Sequence, residues 1–424
     1  MKTNFCTIWS KCLKSRTLLL RQTASGTFLG LMMVATVSAQ TIVPVYPPEK
    51  IASVSRISMA SMGYGYVVTA VKNSAGNLEV NVWHDTGSAL VPTGSATGDK
   101  ISFGTAVAAV TSDLVVTAAF NTSRQLEVTT WQVSSNGSVV TQLHSETAEE
   151  QGSGTAVDLS VAIAAGNITC DFQNGDYCVF TAANTDRNLE VSEWGVSFSG
   201  VITPQGSIAT GVSSVSEVAA APVGDLITCC TSPYFVTAVK SGSDLELGGW
   251  SFAATLKAPD GVLTSGSAPV RAGAVGHVSV AVGWNNGAGC FLAMTAAING
   301  SGNLQVNNWN FAVVDTFAVI TPFSSATAGA ASQVAIDAAS FTGGPFGVTA
   351  VRNGSGNLSV EVWSSESKEI ASYNTSTPIA TVAVAAESND SFPASGGNIN
   401  HVVTAARTSA GDLEMRVWNY TPAP

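Results

Sequence analysis

Glutamate and tryptophan recur together along this chain, four residues apart: Glu79 with Trp83, Glu127 with Trp131, Glu190 with Trp194, Glu246 with Trp250, and Glu414 with Trp418. Two further copies keep Trp309 and Trp363 but carry Gln305 and Ser359 where Glu would stand. The pairing suggests a chemistry. An indole ring stacks on the C–H face of a sugar, and a carboxylate accepts hydrogen bonds from its hydroxyls. Architecture accounts for the same residues. A Trp at a strand end fills the widening gap between neighbouring sheets, and Glu79 and Glu246 lie near Lys72 and Lys240 for cross-strand ion pairing.

A second set comprises Arg56, Asp158, Glu217, His277 and Gln333, near the start of small apolar runs such as "VSVAVG" from Val278. A ring of mixed charge there could hold a small ligand, although any water-filled channel mouth is polar. Signatures of catalysis are missing: no G-x-S-x-G elbow occurs. His84, His144, His277 and His401 fall in unlike positions without metal-ligand spacing, so no metal or cofactor is implied. "DFQNGD" at Asp171 lacks the spacing and terminal Glu of a calcium loop. Carboxylate pairs assembled from distant segments remain open, and with them a polysaccharide-active enzyme.

These residues ride on a repeat. A Thr leads to a Leu and then a Trp seven times, from Thr69–Trp83 to Thr404–Trp418. The Leu-to-Trp step is always 5, and the Thr-to-Trp step is 13 or 14. Successive Thr positions differ by 48 to 64 residues. Constant spacing within units and variable spacing between them predicts fixed hairpins joined by loops of changing length. Each unit reads as four strands: a small apolar one, "VVTAV", "NLEVNVW", and a short run ending in Gly/Ser/Thr. Period-2 alternation and the "NSAG" turn are read as placing Leu78, Val80 and Val82 on one face with Thr69 and Val71. Glu79, Asn81 and Trp83 then share the other with Ala70 and Lys72.

The last unit has no fourth strand before the chain stops, whereas "QTIVPVYPPEK" from Gln40 resembles one. Thr41 to Val45 is therefore expected to complete the last unit and remove an open edge. The whole pattern resembles a secreted bacterial seven-bladed β-propeller over residues 40–424. Sugar-binding propeller lectins are similar at the level of fold and aromatic-rich blades. The Gly-His and Trp-Asp signatures of WD repeats are lacking. The resemblance implies an all-β ring of four antiparallel strands per blade.

Residues 1–39 read as an export signal, with five basic residues, the apolar core "TFLGLMMVATV", and "VSA" before Gln40. The core is too short to span a bilayer securely. The whole chain carries 18 Lys+Arg and 29 Asp+Glu; without the leader it has 13 basic and 29 acidic residues, net −16. That balance opposes nucleic-acid and anionic-lipid partners. Cys170, Cys178, Cys229, Cys230 and Cys290 cluster in three successive units, between first and second strands, and read as disulfide candidates in an oxidising compartment. Zinc is disfavoured because those loops hold no His. The chain is expected to be a secreted or cell-surface binding module, without catalysis, for a glycan or a cell-surface protein. A structural cell-surface module is the other non-enzymatic reading.

Overall fold

The computed structural model describes residues 40–148, 160–169, 176–223, 234–253, 262–265, 270–285, 290–314, 317–341, 344–386 and 401–421. Among these residues there are strands and turns but no helix. The leader, Asp158, Cys170, Cys229 and Cys230 lie outside them.

The chain opens with β1 (Thr41–Pro44), β2 (Glu49–Gly63), β3 (Tyr66–Asn73), β4 (Asn77–Asp85) and β5 (Leu90–Ala109). Next come β6 (Leu114–Asn121), β7 (Leu126–Val133) and β8 (Val140–Thr147), then β9 (Val161–Thr169), β10 (Tyr177–Thr185), β11 (Asn188–Val196) and β12 (Ile202–Ser213). They are followed by β13 (Val215–Val223), β14 (Tyr234–Ser241), β15 (Asp244–Ala253), β16 (Val262–Ser265), β17 (Val270–Asn285), β18 (Cys290–Asn299) and β19 (Asn303–Val314). The remainder is β20 (Phe317–Phe341), β21 (Gly344–Asn353), β22 (Asn357–Ser364), β23 (Glu369–Ala386), β24 (His401–Thr408) and β25 (Asp412–Thr421). Every pairing is antiparallel, as in β2–β3–β4–β5. Several strands serve two units. Leu90 to Lys100 of β5 pair with β4, and Ile101 to Ala109 pair with β6. β20 and β23 do the same for their neighbours.

The register corrects the expected faces of the hairpin. Thr69 stands opposite Asn81, Val67 opposite Trp83 and Val71 opposite Glu79. Thr69 and Val71 therefore share the Glu79–Trp83 face, and Ala70 and Lys72 share the Leu78–Val82 face. The turn sets this. The Asn73 side-chain oxygen accepts the backbone N–H groups of Ala75 and Asn77, at 3.0 and 3.1 Å. Gly76 takes φ 84°, which suits glycine. A one-residue change in register moves every side chain to the opposite face.

The repeated Thr and Trp are hydrogen-bond partners. Each indole N–H donates to the hydroxyl of the Thr diagonal to it: Trp83 to Thr69 at 3.1 Å, Trp131 to Thr117 at 2.9 Å, and Trp194 to Thr181 at 3.0 Å. Trp250 to Thr237, Trp309 to Thr295, Trp363 to Thr349 and Trp418 to Thr404 follow at 2.9, 3.0, 2.9 and 2.9 Å. The two spacings have one geometry. Where the step is 13, a two-residue turn replaces the longer one: Asp186 and Arg187, both at positive φ, or Gly242 and Ser243. Thr181 then faces Ser192 and Thr237 faces Gly248, so the Trp remains diagonal to its Thr.

Each Trp is buried between its own hairpin and the preceding one. Trp131 packs with Val68, Val80 and Val82; Trp194 packs with Val116 and Val128. Trp83 packs with Val403, Met415 and Val417 of the last hairpin. There β1 also pairs with β25, Thr41 opposite Thr421 and Pro44 opposite Trp418, while Glu49 to Ser53 of β2 pair with Met415 to Asp412. Cys178 lies on β10 itself, not in a loop, and is disulfide-bonded; no other cysteine side chain is among those described.

Candidate functional site

The structure places all five tryptophans of the Glu/Trp pairs in the core. Their exposure is at most 3%, and every indole N–H is occupied. No ring face is left for a sugar, which corrects the stacking half of the expected site. The glutamates stay beside their Trp, each in a different setting. Glu127 accepts from Ser145 at 2.5 Å and Glu190 from Thr185 at 3.0 Å. Glu246 pairs with Arg271 at 3.4 Å, not with Lys240. Glu414, 2% exposed, is held by Arg416 at 2.7 Å and Lys50 at 3.4 Å. Lys72 does not meet Glu79 either; it lies on the opposite face and donates to the Ser102 carbonyl at 3.0 Å.

Glu79 is different because it lines a cavity of about 430 Å³ at the junction of the first and last hairpins. Ile51, Ser53 and Val54 of β2 form one wall. Pro92, Thr93 and Ser95 of β5 form the other, with Asn73 and Asn81 beside Glu79. Among the described residues Glu79 is the one charged residue lining it, and no aromatic ring does. One carboxylate oxygen accepts from the Asn73 side chain at 3.0 Å. Asn81 is 6% exposed, and its amide nitrogen has no partner among the described residues. A buried polar group without a partner is costly and uncommon.

Two equivalent positions are satisfied internally, whereas a third, Glu361, also keeps one buried oxygen without a hydrogen-bond partner among the described residues. Asn307, in the place of Asn81, donates to Thr295 at 3.4 Å and accepts from Gln305 at 2.9 Å. Thr129 shares a 3.0 Å hydrogen bond with Ser145, which in turn donates to Glu127. There Gln142 and the Trp131 ring line a space of only about 10 Å³. Gly98 permits that approach, since a Cβ would lie 2.9 Å from the ring. Across from Trp83 stands Pro92 instead of Gln142, and the cleft stays open. Asn81 was not singled out from sequence; its one signal was an amide two residues before Trp, shared with Asn307.

Three of the expected mouth residues meet. His277 Nδ1 contacts Glu217, whose other oxygen accepts the Val278 N–H at 3.0 Å, and His277 Nε2 lies 3.1 Å from the Gln333 amide. Glu217, His277 and Gln333 each precede by three the residue facing the repeated Thr. Arg56 occupies the same register but is exposed, with no hydrogen bond or ion pair among those described. Ser160, not Asp158, holds this register in its unit. Similar bonds stitch successive first strands, each reaching the N–H one step further on: Ser58 accepts from Val107, Ser160 from Val218, Ser279 from Ile336, and Asp337 from Ala386. The small apolar character of these strands lets them lie this close.

A third polar group was not foreseen. His401, at the start of β24, contacts Asp85 at the end of β4 through Nδ1. Asp85 also accepts from the Gly87 N–H at 2.9 Å and from the Tyr46 hydroxyl at 3.3 Å. Burial pushes the Asp85 carboxyl up, but these hydrogen bonds outweigh it and hold the group below the usual range. Burial and the neighbouring Asp85 carboxylate raise Tyr46 to about 12. His401 and Asp85 are 316 residues apart, and sequence spacing gives no signal of their contact.

Burial lifts Glu193, 2% exposed, to about 8. Its proton is kept on folding and lost on unfolding between the ordinary value of 4.5 and about 8. Its contribution to stability is thus full at low pH and is lost as pH rises through 8. Glu361, lifted by burial and by Glu369 to about 7, acts in the same sense. Glu193→Gln is expected to raise the melting temperature more at pH 8 than at pH 5, by on the order of a few kcal/mol in stability. Melting curves across that range check it; an equal shift at both pH values refutes the assignment.

No protein-family model and no curated protein matches the chain in sequence. In structure it is similar to the WD40 domain of Toxoplasma gondii coronin, with TM-score 0.53 and 11% identity over 92% of this chain and 87% of that one. WD40 domains are β-propellers, and the likeness shows that fold alone. The chain also aligns with a fungal lectin, Aleuria aurantia lectin, described as a six-bladed propeller with a fucose recognition mode. That match has TM-score 0.46 and 10% identity, covering 76% of this chain and 96% of that one. Sqt1 of Saccharomyces cerevisiae aligns with TM-score 0.48 and 10% identity over 89% and 99%. This chain is a β-propeller repeat protein. Among its described residues no helix is long and apolar enough to cross a membrane.

Proposed function

We propose that the chain is an extracytoplasmic, non-catalytic binding propeller of seven four-stranded blades, closed by β1, that takes a hydroxyl-rich ligand in the Glu79–Asn81 cleft. The observation that carries this reading is an open cavity in which the Glu79 carboxylate stands beside Asn81, whose buried amide nitrogen has no partner among the described residues. The volume falls within the roughly 300–1,000 Å³ of small-ligand sites. Amide and carboxylate together offer the donors and acceptors that vicinal hydroxyls need. Seven Thr–Trp hairpins, with β1 and β2 pairing to β25, support the ring. The five glutamates do not make five equivalent sites: each has different partners, and Glu79 lines the cavity of about 430 Å³ whereas the space beside Glu127 is about 10 Å³. Export is inferred from residues 1–39, and the Cys178 disulfide is compatible with an oxidising compartment. A glycan array probed with the protein and with Asn81→Leu tests the reading. Binding by the first and not by the second is expected; binding unchanged in Asn81→Leu, or by neither, overturns it.

A further inference from the structure

We infer that the cleft selects neutral over anionic sugars and holds one per molecule by hydrogen bonding without ring stacking, an inference that rests on the cleft being the ligand site. Three observations carry it. Glu79 is the one charge lining the cavity, and only one of its oxygens is engaged, by Asn73 at 3.0 Å. Asn81 lines the cavity, and among the described residues its buried amide nitrogen has no partner, so a small turn of the side chain toward a ligand hydroxyl completes a hydrogen bond that the free protein lacks. Trp83, the aromatic residue nearest in sequence, is 0% exposed with its N–H on Thr69, and no ring lines the cavity.

From these follow three properties. A carboxylate that faces a ligand in a partly enclosed cleft repels a second carboxylate, and no cation lines this cleft to offset it. Uronic and other acidic sugars are therefore disfavoured. A neutral hexopyranose can donate one hydroxyl to Glu79 and meet the Asn81 amide with the next. Without a stacking platform, affinity rests on a few hydrogen bonds in water, which places Kd on the order of 1 mM. The site is single because Glu79 and Asn81 face a wall made by β2, which pairs with β25 from the other end of the chain. The corresponding space beside Glu127 is only about 10 Å³.

Titration calorimetry of the purified protein tests this with three probes: a neutral methyl hexopyranoside, the matching hexuronate and the matching 2-amino sugar. The neutral sugar is expected to bind at one equivalent. The uronate should bind about tenfold more weakly, and the amino sugar at least as well as the neutral one. Glu79→Gln keeps the volume and removes the charge, so the uronate-to-neutral ratio should move to about one. Asn81→Leu should weaken the neutral sugar about tenfold or more. Thermal melting confirms that both variants fold. If the wild-type protein binds the uronate as tightly as the neutral sugar, or binds several equivalents, this inference falls while the cleft remains a ligand site. If no sugar binds, both readings fall together.

Discussion

Asp85→Ala is expected to destabilise the protein by about 2–5 kcal/mol, the typical result of truncating one partner of a buried, hydrogen-bonded charge. Asp85 joins three pieces of chain: Tyr46 between β1 and β2, the end of β4, and His401 at the start of β24. Losing the carboxylate leaves the His401 ring, 7% exposed, without its partner at the junction of first and last hairpins. Because the Asp85 carboxyl titrates below its ordinary range, its contribution is present above that range and lost as pH falls through its folded value. The wild-type protein should therefore lose stability at the acid end, and Asp85→Ala should show a shallower acid limb. Denaturant titrations at pH 7 and near pH 3 measure both. A loss below about 1 kcal/mol at pH 7 would mean that the contact contributes little more than an exposed pair.

Trp131→Ala should cost about 3–5 kcal/mol, as truncation of a fully buried aromatic does. Trp131 lies between two hairpins, so the cavity weakens contacts of both. A finer experiment separates packing from the hydrogen bond. Thr117→Val keeps the shape but leaves the indole N–H without an acceptor, at a cost of about 1–3 kcal/mol. Trp131→Phe removes the donor as well, so Thr117→Val added to Trp131→Phe should cost distinctly less than it does alone. A double-mutant cycle that sums without an interaction energy would refute the pairing.

The all-β repeat was legible because its signal is periodic. Thr, Leu and Trp at fixed separations predict hairpins whatever joins them, and hairpins are what the chain forms. The face assignment was not legible. It depends on a single step of register set by how Asn73 and Gly76 shape a turn, and alternation alone is symmetric to that step. The Trp residues illustrate a second limit. Spacing shows that Trp recurs but not whether it looks outward or into the neighbouring hairpin, and it does not show that the 13-residue and 14-residue steps preserve one hydrogen bond through different turns. Glu79 was visible as one of five similar glutamates. What distinguishes it is an open cavity lined by Asn81 and by β2, which arrives from the other end of the chain. Glu217, His277 and Gln333 could be gathered from sequence because all three hold the same register position. Asp85 and His401 could not, since no repeat relates them.

The pairing of β1 with β25 has a mechanical consequence. Thr41 and Thr421 face each other at the same end of one antiparallel ladder. Tension applied between these two residues would load that ladder from its end, so its hydrogen bonds would yield in succession, beginning with the outermost pair. Tension applied between Thr41 and Asp85, by contrast, would also strain the buried Asp85–His401 contact and the core around Trp83. The β1–β25 ladder would thus open at lower force when pulled between Thr41 and Thr421 than between Thr41 and Asp85.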